Sequence, residues 1–150
     1  MKLYLIQHGL AVPEDVDPQK PLSRQGVEAT QKTARFLKDR AVKADSIWHS
    51  PKMRAVQTAR IISRSVSCQE MEERDDLNPR DPVDKFPAEF QKTNTDRMIA
   101  GHLPFLQKLV SLLLTGSDGL ELISFKNSGV VCLEYEEAWK LAWFVTPDLL

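Results

Sequence analysis

The run Leu3-Tyr4-Leu5-Ile6 places four apolar residues in succession and then stops at Gln7-His8-Gly9. An uninterrupted apolar run closed by a polar turn predicts a strand buried on both faces, as in a parallel sheet. Residues 10–22 carry Pro13, Pro18 and Pro21 with Asp15 and Asp17, a loop composition. Ser23 then offers an N-cap, and Val27, Thr30, Ala34, Leu37 and Ala41 recur at helical spacing through about residue 41. A second short apolar segment, Asp45-Ser46-Ile47-Trp48, gives way at His49-Ser50-Pro51 to a second helix, with Ser50 as its cap and Pro51 in its first turn. Ala55, Ala59, Ile62 and Val66 form the stripe by which that helix meets a core.

Residues 72–95 change character. Pro79, Pro82 and Pro87 stand among many charges, with only a brief helical signal over Lys85 to Gln91, so this stretch reads as a surface excursion or lid. Arg97-Met98-Ile99-Ala100 predicts a strand ending in Gly101-His102, and Pro104 opens a strongly apolar helix that stops near Gly116. Three closing strands are predicted over 120–125, 130–135 and 140–145, the first two joined by a Lys126-Asn127-Ser128-Gly129 turn. Strand and helix alternate first and strands cluster last. That order predicts a three-layer α/β/α architecture with a mostly parallel sheet and an antiparallel edge.

Composition narrows the picture. A chain of 150 residues is expected to form one domain, 1–150, large enough to bury a core without metal or disulfide staples. Twenty basic against 21 acidic side chains leave a formal charge of −1, which offers no footprint for nucleic acid but does not exclude a local basic pocket. Cys68 and Cys132 are far apart in a cysteine-poor chain and are expected to be reduced thiols. The apolar run after Lys2 is too short for a signal peptide, and no run reaches the length of a membrane span. A cytoplasmic location is therefore expected.

Three polar turns occupy equivalent places, each at the point where a strand gives way to the next segment: Gln7-His8-Gly9, Ser50-Pro51 with Arg54 one turn into its helix, and Gly101-His102. In a parallel sheet such turns converge at one edge, so His8, Arg54 and His102 are expected to face one another. Helix N-termini there would add unpaired N–H groups, which suits phosphate or another compact anion. His8, His49 and His102 lack the spacing of a zinc site, and neither a G-x-x-x-x-G-K-(S/T) loop nor a G-x-G-x-x-G turn occurs. No metal or other cofactor is expected. His49 could border the pocket but is expected to be structural, and Trp48, Trp139 and Trp143 are expected to lie in the core or on the sheet.

The segments LIQHG, SPKMRAVQTA and AGHLP resemble the strand-end motifs of the histidine phosphatase superfamily, the phosphoglycerate mutase-like proteins. Lys20-Pro21-Leu22-Ser23 with Gly26 resembles that family's R-P-L-(S/T)-x-x-G segment, and the short chain with Trp139-Lys140-Leu141 and Thr146-Pro147 looks most like the SixA-type phosphohistidine phosphatases. The resemblance implies a phosphoglycerate mutase-like fold and a metal-independent phosphatase. It puts the nucleophile on His8, which would attack phosphorus and form a phosphohistidine that water hydrolyses. Arg54 would neutralise non-bridging oxygens, His102 would donate to an oxygen as charge is redistributed, and Lys20 would add a point charge at the rim. The implied partner is a phosphohistidine-bearing protein or a small phosphorylated substrate.

Two departures from the family pattern matter. Gln7 stands where the family's R-H-G motif has arginine; its amide can donate a hydrogen bond but brings no charge and no fork. The second concerns the general acid, for which Glu72, Glu73, Asp75, Asp76, Asp81 and Asp84 are candidates with none singled out. A phosphohistidine substrate, losing neutral imidazole, would need such an acid less than an ester would. The alternative expectation is a catalytically impaired phosphate- or phosphoprotein-binding member of the same fold, and the third a small-molecule phosphomonoesterase.

Overall fold

A computed structural model describes residues 1–150. Six strands, β1 (Lys2–Gln7), β2 (Lys43–His49), β3 (Ser67–Glu73), β4 (Arg97–Gly101), β5 (Val130–Tyr135) and β6 (Trp139–Val145), form one sheet in the order β3-β2-β4-β1-β5-β6. The pairs from β3 through β1 are parallel, and β1/β5 and β5/β6 are antiparallel. Four helices, α1 (Arg24–Asp39), α2 (Met53–Ser63), α3 (Phe86–Thr93) and α4 (Phe105–Thr115), cover it.

Side-chain alternation along the strands divides the interior in two. Leu3, Leu5, Ile99, Val131 and Leu133 point to the face covered by Phe86 and Phe90 of α3 and by Phe105, Leu106 and Leu109 of α4. Tyr4, Ile6, Met98, Ala100, Val130 and Cys132 point to the other face, against Ala34 and Leu37 of α1 and Ala59 and Ile62 of α2. The three layers therefore follow from the apolar runs in the central strands, which have no polar face to expose. Cys68 on β3 and Cys132 on β5 are free thiols separated by three intervening strands, a spacing of roughly 4.8 Å per strand that no disulfide can bridge.

Three expectations are corrected, and one strand went unread. Ser67–Glu73 is a strand, and its mostly exposed residues carry no apolar alternation because it is the outermost strand beside β2. Residues 72–95 are not a surface excursion: Leu77, Val83, Phe86 and Phe90 are all buried in the core between the sheet and α4. Residues 120–125 form no strand; β1 and β5 each already have two neighbours, and Phe125 N–H instead turns back to the Ile123 carbonyl at 3.1 Å. Finally, α2 starts after Lys52, with no side-chain cap, since the Ser50 hydroxyl is engaged elsewhere. Ser23 does cap α1, accepting from Gly26 N–H at 3.0 Å.

Of the six glycines, Gly26 has the least room for a side chain. A Cβ placed there would lie 2.0 Å from the Leu10 carbonyl oxygen, so the first turn of α1 rests directly on the backbone just beyond β1. Helix propensity alone would make Gly26→Ala stabilising by about 1 kcal/mol. The clash with backbone outweighs that gain, and Gly26→Ala should instead lose about 3 kcal/mol by chemical denaturation, with Gln25→Ala on the exposed side of the same turn as a near-neutral control.

Candidate active site

β1 and β4 run side by side with Gln7 opposite Gly101 at the end of their register. The chain leaves β1 for α1 on one face and leaves β4 for α4 on the other, so the carboxyl ends of these strands form the switch point where open α/β sheets leave a crevice. His8 and His102 are the next residues along. The His8 N–H donates to the Gly101 carbonyl at 2.9 Å, and the two imidazole centroids lie 5.1 Å apart.

The protonation of His8 is set by its own turn. Its Nδ1 lies 2.7 Å from the Gly9 carbonyl, which can only accept, so Nδ1 carries the proton and Nε2 of the neutral ring is bare. Burial lowers the His8 pKa below the usual histidine value, the Gly9 hydrogen bond opposes this, and Arg54 and Lys20 lower it further. Nε2 accepts from Arg54 Nε at 3.3 Å. Arg54 sits in the first turn of α2, half-buried and without a carboxylate partner.

The turn itself is clamped from several sides. Gly9 N–H donates to Thr58 Oγ1 at 3.0 Å, and the same hydroxyl donates to the Arg54 carbonyl at 2.7 Å, joining the His8 turn to the helix that carries Arg54. Gln57 Oε1 accepts from Leu22 N–H at 2.7 Å. On the other side, Asn127 Nδ2 donates to the His8 carbonyl at 2.9 Å, and Ser128 N–H to the Gln7 carbonyl at 2.9 Å. Thr33 of α1 holds Ser128 through its carbonyl at 2.7 Å. Gly9 has no room for a side chain, since a Cβ would come within 2.7 Å of Thr30 Oγ1.

His102 is buried beside Ser50, with Nε2 at 2.5 Å from the Ser50 hydroxyl and Nδ1 enclosed without a partner. Burial, helped by His8, Arg54 and Lys52, pushes its pKa down to about 3, so the ring is neutral. Lys20 lies in the loop before α1 in a left-handed conformation, φ 48°, and its charge reaches His8. Gln7 closes β1; its Oε1 is buried and finds no donor. Sequence reasoning missed Lys52, Ser50 as the partner of His102, and the Thr58 and Asn127 clamps. Ser50, Lys52 and Thr58 all stand inside the SPKMRAVQTA segment, which could have drawn attention to them.

None of the six general-acid candidates in 72–95 acts on either histidine. Glu72 and Glu73 are exposed at the end of β3, and Asp75 and Asp84 are exposed in the loop beyond it. Asp76 is bound by Arg74 at 2.6 Å and Lys85 at 2.5 Å, and Arg74 chiefly holds its pKa down at about 2. Asp81 accepts from Asn78 N–H at 2.7 Å. His49 is buried with Nδ1 on the Ser50 carbonyl at 2.9 Å, and the Trp48 indole is covered by the Arg74 and Arg97 guanidiniums. No group of three His, Cys, Asp or Glu side chains is arranged to hold a metal ion. The largest cavity, about 560 Å³ and lined by Lys2, Tyr4, Phe36, Arg40, Lys43 and Trp143 among others, opens at the amino ends of the strands, away from these groups. Chemistry, and not size, locates the site.

Residues 3–85 match the sequence model of the histidine phosphatase superfamily, branch 1. An uncharacterized protein of Picosynechococcus sp. is 26% identical over 140 residues, covering 89% of this chain and 84% of that protein. Among solved structures, the protein histidine phosphatase SixA complexed with tungstate superposes with a TM-score of 0.88 at 22% identity, covering 99% of each chain. The α-ribazole phosphatase of Shigella flexneri gives 0.75 at 18% identity over 98% of this chain and 97% of that one. A phosphoserine phosphatase of Entamoeba histolytica, in complex with 3-phosphoglyceric acid, gives 0.69 at 19% identity over 99% of each. The fold is phosphoglycerate mutase-like.

The depressed histidine pKa values have a consequence for stability. Unfolded, His102 takes up a proton near pH 6.5; folded, it resists until about pH 3, so the unfolded state gains protons first as pH falls. Stability attributable to His102 is complete above pH 6.5 and is lost between about 6.5 and 3, on the order of 5 kcal/mol in all. Denaturation at pH 7.5 and pH 4.5 should show a smaller acid loss in His102→Gln than in the wild type.

Proposed function

Because this chain belongs to the histidine phosphatase superfamily, we propose that it is a phosphatase acting through a covalent phospho-His8 intermediate, with protein-borne phosphohistidine as its substrate. The observation that carries the reading is the bare Nε2 of a neutral His8, held at the switch point and faced by the Arg54 guanidinium. In the free site Arg54 donates to that nitrogen; an entering phosphoryl group takes its place and receives the guanidinium on its non-bridging oxygens. Nε2 then attacks phosphorus in line while the bond from phosphorus to the substrate's imidazole nitrogen breaks. The departing ring, already protonated on its other nitrogen, leaves as neutral imidazole. Water attacks the phospho-His8 in the second step, its proton leaves with the inorganic phosphate, and Nε2 is bare again.

The choice of phosphohistidine rests on what surrounds the two histidines. Arg54 and Lys20 act on His8, and His8, Arg54 and Lys52 on His102, with no carboxylate among them, and the acids of 72–95 are engaged by Arg74, Lys85 and backbone or exposed to water. A site with no proton donor of carboxyl type handles a neutral leaving group far better than an alkoxide. The solved structure of SixA with tungstate, a tetrahedral oxyanion, supports an anion pocket in this fold. No metal or other cofactor enters the scheme, and we take residues 1–150 as one functional domain. No helix is long and apolar enough to cross a membrane, and the substrate is placed in the cytoplasm in this reading.

Gln7 favours a second reading, a phosphate- or phosphoprotein-binding member with impaired catalysis. Its Oε1 is buried without a donor, and the position carries no charge. One charge-assisted phosphate contact corresponds to roughly 30- to 1000-fold in binding or rate.

Turnover of a phosphohistidine-bearing protein and of a chromogenic phosphomonoester, with and without chelator, separates the readings. Wild type should hydrolyse the phosphohistidine in the presence of chelator, His8→Ala should be inactive, and Gln7→Arg should raise kcat/KM by about 30-fold or more. Activity appearing only in Gln7→Arg would identify the binding module, and loss of phosphohistidine hydrolysis on adding chelator would remove the metal-independent scheme.

A further inference from the structure

Ser50 is fully buried, lies just beyond the end of β2, and does not cap α2. Its hydroxyl makes two contacts: it accepts from Lys52 N–H at 3.4 Å, and it lies 2.5 Å from Nε2 of His102. With one of its two lone pairs facing Lys52, the hydroxyl has one proton to place, and His102 Nε2 is the acceptor within reach. His102 is neutral and so carries one ring proton. If that proton sat on Nε2, it would donate to the second lone pair of the Ser50 hydroxyl, and two buried groups would go unsatisfied: the Ser50 O–H, left without an acceptor, and the lone pair of Nδ1, which has no partner in the protein. With the proton on Nδ1, the bond from Ser50 to Nε2 is complete and one group remains open, the Nδ1–H donor.

We propose that Ser50 is a positioning residue that fixes His102 as its Nδ1–H tautomer, so that the nitrogen left free by the protein is a hydrogen-bond donor for the phosphoryl group. The donation to phosphate rests on the function proposed above; the tautomer does not. The two histidines are then set in opposite senses by their second nitrogens. The Gly9 carbonyl holds the proton of His8 on Nδ1 and leaves a bare Nε2 to attack. The Ser50 hydroxyl occupies Nε2 of His102 and leaves Nδ1–H to donate. The opposite tautomer of His102 would turn a lone pair toward an anion, and burial keeps the ring from escaping that choice by taking a second proton.

The test reads the tautomer directly. Long-range ¹H–¹⁵N spectra of the free protein at pH 7 are simple to assign because the chain has three histidines, and His102→Gln identifies the signal. The wild type should show His102 protonated on Nδ1. Ser50→Ala should shift it to a mixture or to Nε2–H and lower kcat roughly 10- to 100-fold with KM little changed, less than the roughly 100- to 1000-fold expected when such a donor is removed outright. Ser50→Thr, which keeps the hydroxyl, should restore both the tautomer and kcat. An Nε2–H tautomer in the wild type overturns the assignment whatever the variants do, and an unchanged tautomer in Ser50→Ala removes the role of Ser50. A wild type that shows Nδ1–H but hydrolyses neither substrate would sink the phosphatase reading and leave the tautomer assignment standing.

Discussion

The parallel pairing of β1 with β4 is the constraint on which the site depends. Its register ends at Gln7 opposite Gly101, and the next hydrogen bond, His8 N–H to the Gly101 carbonyl, carries the pairing one step past the strands. A slip of one residue would send every side chain of β1 to the other face, exchanging Leu3 and Leu5 for Tyr4 and Ile6 in two different cores. The hydrophobic pattern therefore fixes the relative height of His8 and His102. The chain leaves the two strands toward opposite layers, the arrangement that leaves a crevice at their carboxyl ends.

What the strands place, the surrounding loops lock. The α1 residues Gly26, Thr30 and Thr33 touch Leu10, Gly9 and Ser128, while the α2 residues Gln57 and Thr58 hold Leu22 and Gly9. Each helix thus delivers a packing stripe to the sheet and a polar edge to the His8 turn. The charged groups gathered around that turn are all cations, and burial lowers the pKa of Arg54 as well as of both histidines. A site in which positive charge is partly desolvated and unpaired is held ready for an anion, because the field does not have to reorganise when the anion enters.

The amino-acid pattern made the central strands, the four helices and the meeting of His8, Arg54 and His102 legible, because each rests on a local signal: a continuous apolar run, a cap, or a polar turn at a strand end. The parts that stayed hidden are those whose cause is not local. β3 looks like a charged loop since an outermost strand can expose both faces, and its pairing with β2 supplies what its side chains do not. The buried residues of 74–93 are spaced irregularly among prolines and charges, so no period betrays them; Arg74, bound to Asp76 and Glu89 and stacked on Trp48, is what allows charge to lie so near the core. Ser50 was legible as a cap because serine before proline normally is one, and only the arrival of β4 reveals that its hydroxyl has a better partner.

Gln7 brings the opposing demands on the site together. A guanidinium at that place would bind phosphate in substrate, transition state and product alike, and uniform binding of this kind lowers KM without raising kcat. It would also add another positive charge beside His8, whose pKa burial, Arg54 and Lys20 already depress. Under the proposed function, the uncharged amide gives up affinity for the anion and spares His8 that additional repulsion. It weakens the hold on inorganic phosphate by the same amount as on substrate, so where product release limits turnover the loss falls on kcat/KM more than on kcat. For a phosphoryl group presented on a protein, whose surface contributes binding of its own, lower affinity for the bare anion is the smaller cost.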